Sequence, residues 1–487
     1  DKQDTMKTAI CLCVLLSVFS LCHGQNYMVG VGIGDVTGPA AGINMMGYAN
    51  PEQTTHGIHL RLHSRAFIFA NQDGSNPVVF VSADIAMTTQ LIKHEVVDKL
   101  ATIFGDRYTD ENVMISSIHT HSGPGAYHQY FLYEATSLGF FEESLDAIVD
   151  GIVKSIEQAH DSLQPGNILV NSGELLDANI NRSPVAYENN PEEEKAKYQY
   201  NVDKEMTLLK VQGANGEDLG MVNWFPVHTT SMNFSNELIS SDNKGFASLL
   251  FEQDFNDGFL GQGPFVAAFA QANEGDVSPN IEGAKCIDTG EPCDALTSTC
   301  SDGLVQNCIA FGPGEDMFES TKIIAERQYE KAKELYSGAT KELSGPVDYR
   351  LKYANMTDQE VSVNETHKTT TCKPAMGYSF AAGTTDGPGF ANFTQGMTES
   401  DPFWDGLRDL LFTPSDEMVA CHKPKPIIIP TGEANDISLT MATRSPRLSN
   451  VCRWPIGNSQ PTRRVYDNVW STSPGNGLQD HHRKWLP

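Results

Sequence analysis

The stretch Ile115-Ser-Ser-Ile-His119-Thr-His121-Ser-Gly-Pro-Gly125 joins a strand signal, two histidines and a strand-breaking loop. Residues up to Ile118 are mostly β-formers, whereas the Gly-Pro-Gly run favours a loop. Alternate residues of a strand point the same way, so His119 and His121 are expected to share a face. Two imidazoles on one face are typical of a divalent-metal site, but an isolated H-x-H also occurs at ordinary strand ends on a protein surface.

Two further stretches have the same arrangement of an apolar strand followed by a polar loop. Met221–Val227 is followed directly by His228, and Phe265–Ala270 is followed by a loop that contains Ser278. In open α/β sheets, ligands bind outside the carboxyl ends of the strands, so the three loops are expected to face one crevice. We therefore predict that His119 and His228 bind a metal ion, with a carboxylate or phenolate and one position left for water, as in catalytic zinc sites.

Ser278 lies in Gly275-Asp-Val-Ser-Pro-Asn280 and is a candidate nucleophile. A serine on a tight turn after a buried strand is similar to a nucleophile elbow, although the pattern is not G-x-S-x-G. Asp276 and Asn280 are candidates for orienting it, and the alternative is an ordinary Ser-Pro turn. Arg182 is a candidate for holding an anionic or carbonyl oxygen, or else a surface charge. Asp84, which ends another apolar strand, is a candidate partner of the metal ligands or a simple cap.

The pattern of strands and helices predicts a mixed α/β sheet in a single large domain. A Gly-rich strand over Tyr27–Asp35 comes first, and 354–371 is expected to be an exposed loop. Apolar patterns predict strands at 65–70, 78–83, 168–170, 206–211, 221–227 and 265–270, and helices at 91–104, 141–156 and 317–336.

Composition limits the class of protein. The formal net charge of −28 argues against binding to nucleic acid and against attachment to anionic membranes through a polybasic segment. Residues 6–24 read as a secretory signal peptide, with one lysine, an apolar run and small residues at its end. No other run of 18 apolar residues is present, so we expect a secreted protein without a transmembrane segment.

The cysteines and sequons agree with export. Four cysteines cluster in a polar loop with spacings that match no zinc knuckle, and an oxidising compartment favours two disulfides there: Cys286, Cys293, Cys300 and Cys308. Three of the ten cysteines lie in the signal-like residues 6–24; of the other seven, Cys372 and Cys421 are candidates for a third disulfide, which leaves Cys452 unpaired. Five sequons are compatible with glycosylation: Asn181, Asn233, Asn355, Asn364 and Asn392.

The last segment, residues 437–487, differs from the rest. It holds seven basic and two acidic residues, a net charge of +5, in an otherwise strongly acidic chain. It also holds three of the five tryptophans and shows neither strand nor helix periodicity. A basic interaction tail is one interpretation. We favour a different exon or reading frame joined to a truncated domain, and expect little packed structure in this tail.

These motifs together resemble the neutral ceramidase family. The resemblance rests on Ile118–Gly125, Asn179–Pro184, Asn223–His228 with Ser241-Asp242-Asn243, and Asn273–Asn280, and also on Gly30–Pro39 and Met45–Ala49. It runs from about Asn26 to about Asp436, so residues 25–436 are expected to form the catalytic domain. The resemblance implies a zinc amidohydrolase, an enzyme that cleaves the N-acyl bond of ceramide to sphingosine and a fatty acid at a membrane or micelle surface.

Site residues follow from the same resemblance. It implies that His119 and His228 bind the single zinc ion, that Ser278 is the residue treated as nucleophile, and that His121 and Arg182 line the site. It also implies that the disulfides pair as 286–300, 293–308 and 372–421. Zinc would polarise the amide carbonyl while a nearby imidazole and hydroxyl manage protons. Whether a water or Ser278 attacks first stays open.

The chain departs from this family beyond residue 436. The family supplies two further zinc ligands, a glutamate and a tyrosine, and an immunoglobulin-like C-terminal domain, and nothing in 438–487 replaces them. Glu433 belongs to the preceding segment and is not predicted to be a ligand. The alternatives to an active zinc amidase are therefore a truncated, catalytically silent form and a metal-independent serine hydrolase that uses Ser278 with His121.

Overall fold

The computed structural model describes residues 27–258, 260–362 and 366–433. The predicted signal peptide, the basic tail, Cys452 and the sequon at Asn364 lie outside the described residues. No helix in the described part is both long and apolar enough to cross a bilayer.

The described strands are β1 (Tyr27–Asp35), β2 (Ala41–Met46), β3 (Thr54–His56), β4 (His63–Asn71), β5 (Val78–Ala83), β6 (Val113–Ser117), β7 (Gly123–Pro124), β8 (Gln164–Glu174), β9 (Ile180–Asn181), β10 (Glu205–Gly213), β11 (Asp218–Phe225), β12 (Val266–Gln271), β13 (Val277–Ser278), β14 (Gly283–Cys286), β15 (Cys308–Phe311), β16 (Lys341–Glu342), β17 (Glu360–Ser362), β18 (Lys368–Thr370), β19 (Met376–Gly377), β20 (Gly383–Thr384), β21 (Gly387–Pro388) and β22 (Ile427–Ile429). The α-helices are α1 (Gln90–Phe104), α2 (Phe131–Thr136), α3 (Glu142–Asp161), α4 (Pro184–Glu188), α5 (Glu192–Lys195), α6 (Asp242–Gln253), α7 (Met317–Ser337), α8 (Tyr378–Ala381), α9 (Pro402–Leu411) and α10 (Asp416–His422), with a 3-10 turn at Gly105–Arg107.

The main sheet has the strand order β12-β11-β10-β8-β1-β4-β5-β6, and β16 adds to β8. The pairs β11–β12 and β5–β6 are parallel, and the other pairs are antiparallel. This mixed sheet with helices confirms the predicted fold class. The parallel pairs lie at the two ends of the sheet, so β6 and β12 both end in loops that carry candidate site residues.

The sheet is curved, and its two halves face each other across an apolar core. Phe80 of β5 meets Trp224 of β11 with ring centroids 5.3 Å apart. Val31 and Val222 belong to the same buried cluster between the two halves. Helices α1 and α3 cover the outer face at one end of the sheet, and α6 and α7 cover it at the other. This curvature brings the two end strands near each other.

Three glycines on one face of β1 let α3 approach the sheet closely. A Cβ at Gly30, Gly32 or Gly34 would overlap a backbone carbonyl of α3, from Ala159, Ser155 or Gly151 respectively. The Gly-rich pattern of the first strand is therefore a packing requirement.

We expect Gly32→Ala to lower the free energy of unfolding by about 1–3 kcal/mol, because the strand and helix backbones must separate to admit the methyl group. Gly406→Ala in α9 is the matched control, because an added Cβ meets no atom there, and it should be neutral or stabilising by about 0.5–1 kcal/mol. Urea unfolding followed by circular dichroism measures both, and equal stabilities would contradict the close-packing argument.

Two sequence-based expectations are corrected. The predicted loop at 354–371 contains a short exposed hairpin, in which β17 pairs with β18. The Gly-Pro-Gly run does not end regular structure completely, because Gly123 and Pro124 form β7 and pair with Met46 and Met45. Both pairings involve only two or three residues in each strand, and residue type alone predicts such short strands poorly.

The three implied disulfides are confirmed: Cys286–Cys300, Cys293–Cys308 and Cys372–Cys421. The third holds a satellite region, residues 372–433, which has a small apolar core of its own around Tyr378, Ala382 and Phe393. The sequons differ in exposure: Asn181 is buried, whereas Asn355 and Asn392 are exposed. The buried amide of Asn181 donates hydrogen bonds to Asn201 and Asp276, so a glycan at this position is incompatible with the fold.

Candidate metal centre

Hydrogen bonds join the loops that follow β6, β11 and β12. Thr120 and Thr229 form an isolated parallel bridge, and the Thr229 hydroxyl donates to the carbonyl of Ile118 at 3.0 Å. The side-chain amide of Gln271 donates to the carbonyls of Ile118 and Val227, both at 2.9 Å. The predicted convergence of three strand ends is therefore present.

A buried lysine strengthens the same junction. The Lys244 ammonium donates to the carbonyls of Phe225 at 2.7 Å and Ala270 at 3.1 Å, at the ends of β11 and β12. Burial lowers the pKa of Lys244 to about 7. Nearby, the Asn243 amide donates to the carbonyl of His228 at 3.0 Å, so the Ser241-Asp242-Asn243 motif helps to position the histidine loop.

Three buried histidines meet where these loops converge. His119, His121 and His228 each offer a ring nitrogen, and these nitrogens lie within 4.8 Å of one another. The exposed fractions of the three residues are 3, 5 and 1%. The rings of His119 and His228 are 4.9 Å apart between centroids. The structure therefore brings together the two predicted ligands and His121.

His119 lies past the end of the strand and not on it. Strand β6 ends at Ser117, and His119 has a φ of +70°, in the left-handed region. The expectation that alternation along a strand aligns His119 with His121 is therefore wrong. The rings converge because the chain turns sharply at His119. Residues other than glycine seldom adopt a positive φ, and those that do cluster at functional sites.

Backbone carbonyls orient two of the rings. The Nδ1 of His119 lies 2.7 Å from the carbonyl of Ala86, and the Nδ1 of His228 lies 2.8 Å from the carbonyl of Glu274. A carbonyl only accepts, so each Nδ1 carries the proton and each Nε2 keeps its lone pair. Carbonyl groups of this kind commonly orient metal-binding histidines. The Nε2 of His121, 3.0 Å from the Nε2 of His119, then donates to it.

Burial keeps all three imidazoles neutral at physiological pH. Burial and, to a smaller extent, the Arg182 guanidinium lower the pKa of His119 to about 4, although its hydrogen bond to the Ala86 carbonyl acts in the opposite sense. Burial, neighbouring histidines and Arg182 hold the pKa values of His121 and His228 well below the usual range. A neutral imidazole is the form that binds a metal. Two neutral imidazoles oriented by carbonyls, with a third neutral imidazole beside them, therefore fit a Zn²⁺ site.

A second polar cluster is centred on Ser278, which is fully buried. Its Oγ donates to Oδ1 of Asp386 at 2.6 Å and accepts from the backbone N–H of Asn280 at 3.0 Å. The side-chain amide of Asn280 also donates to Oδ1 of Asp386, at 2.8 Å. Arg182 pairs with Oδ2 of the same carboxylate at 3.3 Å. The structure thus brings together three of the predicted site residues: Ser278, Asn280 and Arg182.

Two of the other candidates lie elsewhere. The carboxylate of Asp276 accepts from Asn181 at 3.2 Å and does not orient Ser278. Asp84 pairs with Arg65 at 3.1 Å inside the protein. His121 and Ser278 share no hydrogen bond, since the Nε2 of His121 points to His119 and its Nδ1 has no partner in the described part of the chain.

Sequence reasoning missed Asp386 and Tyr48. Asp386 lies in the two-residue turn between β20 and β21, and its Asp-Gly pair indicates only a turn. Tyr48 packs its ring edge against His121 with centroids 4.5 Å apart. Its motif, Met45–Ala49, contributed to the family resemblance but suggested no role for the tyrosine.

Known proteins resemble this chain over most of its length. A family model described as "Neutral/alkaline non-lysosomal ceramidase, N-terminal" matches residues 27–451. Neutral ceramidase B of Dictyostelium discoideum is 50% identical over 424 residues, which cover 85% of this chain and 58% of that protein. Neutral ceramidase of Drosophila melanogaster is 43% identical, over 86% of this chain and 61% of that protein.

Solved structures give the same result. A structure titled "Ceramidase complexed with C2" matches with a TM-score of 0.70 and 37% identity, over 85% of this chain and 60% of that chain. Neutral ceramidase from Pseudomonas aeruginosa matches with a TM-score of 0.68 and 35% identity, over 85% of this chain and 58% of that chain. The chain thus spans about three-fifths of the length of these relatives. Because the family model matches most of it, the chain belongs to the neutral/alkaline non-lysosomal ceramidase family.

Proposed function

We propose that this chain carries the zinc-binding and hydrolytic residues of a neutral ceramidase, which cleaves the N-acyl amide of ceramide to sphingosine and a fatty acid. The observation that carries the proposal is the group of three buried imidazoles whose ring nitrogens lie within 4.8 Å of one another. The relatives named as neutral ceramidases supply the substrate class.

Each group has a role that its chemistry allows. His119 and His228 would hold Zn²⁺ through Nε2, and His121 would donate or accept a proton beside them. Zinc, when bound, supplies a Lewis acid that polarises the amide carbonyl. Arg182 carries a guanidinium, which is suited to holding an oxygen that gains negative charge. The buried setting strengthens each of these electrostatic interactions.

We also infer that the protein is exported and acts on lipid at a membrane or micelle surface. Support for export comes from the signal-like residues 6–24 and from three disulfides, which persist in oxidising compartments. Support for a lipid surface comes from the low aqueous solubility of ceramide. Exposed sequons at Asn355 and Asn392 are compatible with glycosylation.

The test is hydrolysis of a fluorescent ceramide by the purified chain, alone and fused to the C-terminal two-fifths of the Dictyostelium relative. We expect weak or no turnover by the chain alone, because the family draws two further zinc ligands from that region, and chelator-sensitive turnover by the fusion. Strong chelator-sensitive turnover by the chain alone would show that these ligands are dispensable.

Two outcomes would favour the alternatives. Turnover that survives a chelator would point to a metal-independent serine hydrolase. A fusion that binds zinc but hydrolyses no ceramide would contradict the proposed substrate.

A further inference from the structure

The segment 85–87, between β5 and α1, holds His119 at two points. The backbone N–H of His119 donates to the carbonyl of Ile85 at 3.1 Å, and its Nδ1 donates to the carbonyl of Ala86 at 2.7 Å. The φ of +70° at His119 is a conformation that persists only where the surroundings hold it. The orientation of this ring therefore depends on what fixes the segment 85–87, which belongs to no helix or strand.

The hydroxyl of Tyr127 fixes this segment. It donates to the carbonyl of Met87 and accepts from the N–H of Met87, both at 3.1 Å. A phenolic oxygen has one proton and two lone pairs, so it can make both bonds at once. Burial raises the pKa of Tyr127, although hydrogen bonds to the backbone of Met87 and Ala86 oppose the rise. The hydroxyl therefore keeps its proton at physiological pH and remains a donor.

Tyr127 is itself held firmly on both sides in the chain. The N–H of Gly125 donates to the carbonyl of Asn44 at 2.9 Å, and the N–H of Phe141 donates to the carbonyl of Ala126 at 2.7 Å. The side chain of Tyr127 is inaccessible to water and belongs to the same buried cluster as the inner faces of α1 and α3. Its hydroxyl is therefore a rigid support, and water does not compete for its two bonds.

We propose that Tyr127 is a positioning residue of the metal centre, which holds Met87 and the adjoining Ala86 carbonyl so that the His119 ring presents its Nε2. The inference rests on the proposed function for the assignment of His119 as a zinc ligand. A different carbonyl, that of Glu274, orients His228. Removal of the Tyr127 hydroxyl should therefore disturb one of the two ligands and leave the other in place.

The experiment measures the dissociation constant of zinc from the full chain by competition against a chromogenic chelator. Tyr127→Phe keeps the buried ring but removes the oxygen, so both backbone groups of Met87 lose this partner and the Ala86 carbonyl is less firmly placed. We expect affinity to fall by about 10-fold, the lower end of the range for groups that orient a ligand, because Tyr127 acts through one further peptide. His119→Ala, which removes the ligand, should cost more.

A spectroscopic measurement separates positioning from a general effect on stability. Cobalt(II) takes the place of zinc in such sites, and its visible absorption bands depend on how the ligands are arranged around the ion. At saturating cobalt, Tyr127→Phe should change the intensity or position of these bands. A variant that is less stable but keeps the arrangement of its ligands should give the wild-type spectrum.

Tyr108→Phe is the matched control. It removes the same atom from another tyrosine that is 1% exposed. The hydroxyl of Tyr108 bonds to the Nδ1 of His160 at 2.7 Å and accepts from Arg107 at 3.4 Å, and neither partner belongs to the candidate metal centre. This variant should lose stability without a change in zinc affinity or in the cobalt spectrum. Circular dichroism melting of each variant verifies folding.

The results distinguish the inference from the proposed function. Wild-type affinity and spectrum in Tyr127→Phe, with loss of zinc in His119→Ala, would overturn the inference alone. Equal losses of affinity in Tyr127→Phe and Tyr108→Phe would also overturn it. Zinc affinity that does not depend on His119 would contradict the proposed metal site and the inference with it. A loss confined to Tyr127→Phe, in a fusion that does not hydrolyse ceramide, would support the inference and contradict the proposed substrate.

Discussion

Alanine at His228 or at His119 is expected to lower the zinc affinity of the chain by more than about 100-fold. Changes to groups that merely orient a ligand already cost about 10–100-fold, and these variants remove the ligand itself. Each ring presents its Nε2 because a backbone carbonyl holds the opposite nitrogen. Zinc content after dialysis, together with competition against a chromogenic chelator, measures the loss.

Two further variants sharpen this test. His121→Ala is expected to keep more zinc than the other two variants, because the proposed function gives His121 a role in proton transfer and its Nδ1 has no hydrogen-bond partner among the described residues. His56→Ala is the matched control, since that side chain is 58% exposed and pairs with Glu237 at the surface, and it should bind zinc as wild type does. Zinc retained by His119→Ala and His228→Ala would contradict the assignment of ligands.

Arg65→Ala is expected to lower the free energy of unfolding by about 3–5 kcal/mol, the cost of leaving buried charges without their partner. Arg65 lies between two carboxylates and bonds to Glu252 at 2.7 Å and to Asp84 at 3.1 Å. All three side chains are nearly inaccessible to water. Without the guanidinium, two buried carboxylates face each other. Urea unfolding measures the loss.

The pH dependence and a control identify the cause of this loss. Burial raises the pKa of Asp84 to about 6, and Arg65 opposes that rise. Without Arg65 the pKa of Asp84 should lie higher still, so the variant should regain stability as the pH falls from neutral towards about 4, the ordinary carboxyl pKa, because the folded state takes up the proton first. Arg61→Ala breaks an exposed pair with Asp35 and should cost at most about 1 kcal/mol. Equal losses for both variants would contradict a buried-charge origin.

The regular elements were predictable because each has one dominant signal. Strand β5 and the start of α7 match the apolar patterns at Val78–Ala83 and from Met317 onward. Element ends were less accurate. Strand β8 runs over Gln164–Glu174, well beyond the predicted 168–170. The outer residues belong to the strand because β10 pairs with residues 166–174 and β1 pairs with residues 164–166, which is tertiary information.

The candidate site was predictable where a residue of suitable chemistry follows a recognisable strand. His119, His228 and Ser278 each follow a recognisable strand, so the rule for strand ends located them. Asp386 follows only a two-residue strand and lies 108 positions from Ser278 in sequence. No local pattern relates the two, because their contact depends on the packing of the satellite region. The turn at His119 was also unpredictable, since positive φ is uncommon for any residue other than glycine.

The distance in sequence between Ser278 and Asp386 has a consequence for biosynthesis. A ribosome that adds about 5–20 residues per second needs roughly 5–20 s to pass from one to the other. Until the later segment emerges and docks, the hydroxyl lacks its acidic neighbour and the arginine lacks its counter-ion. The polar cluster around Ser278 is therefore completed only after most of the described part of the chain has been synthesised.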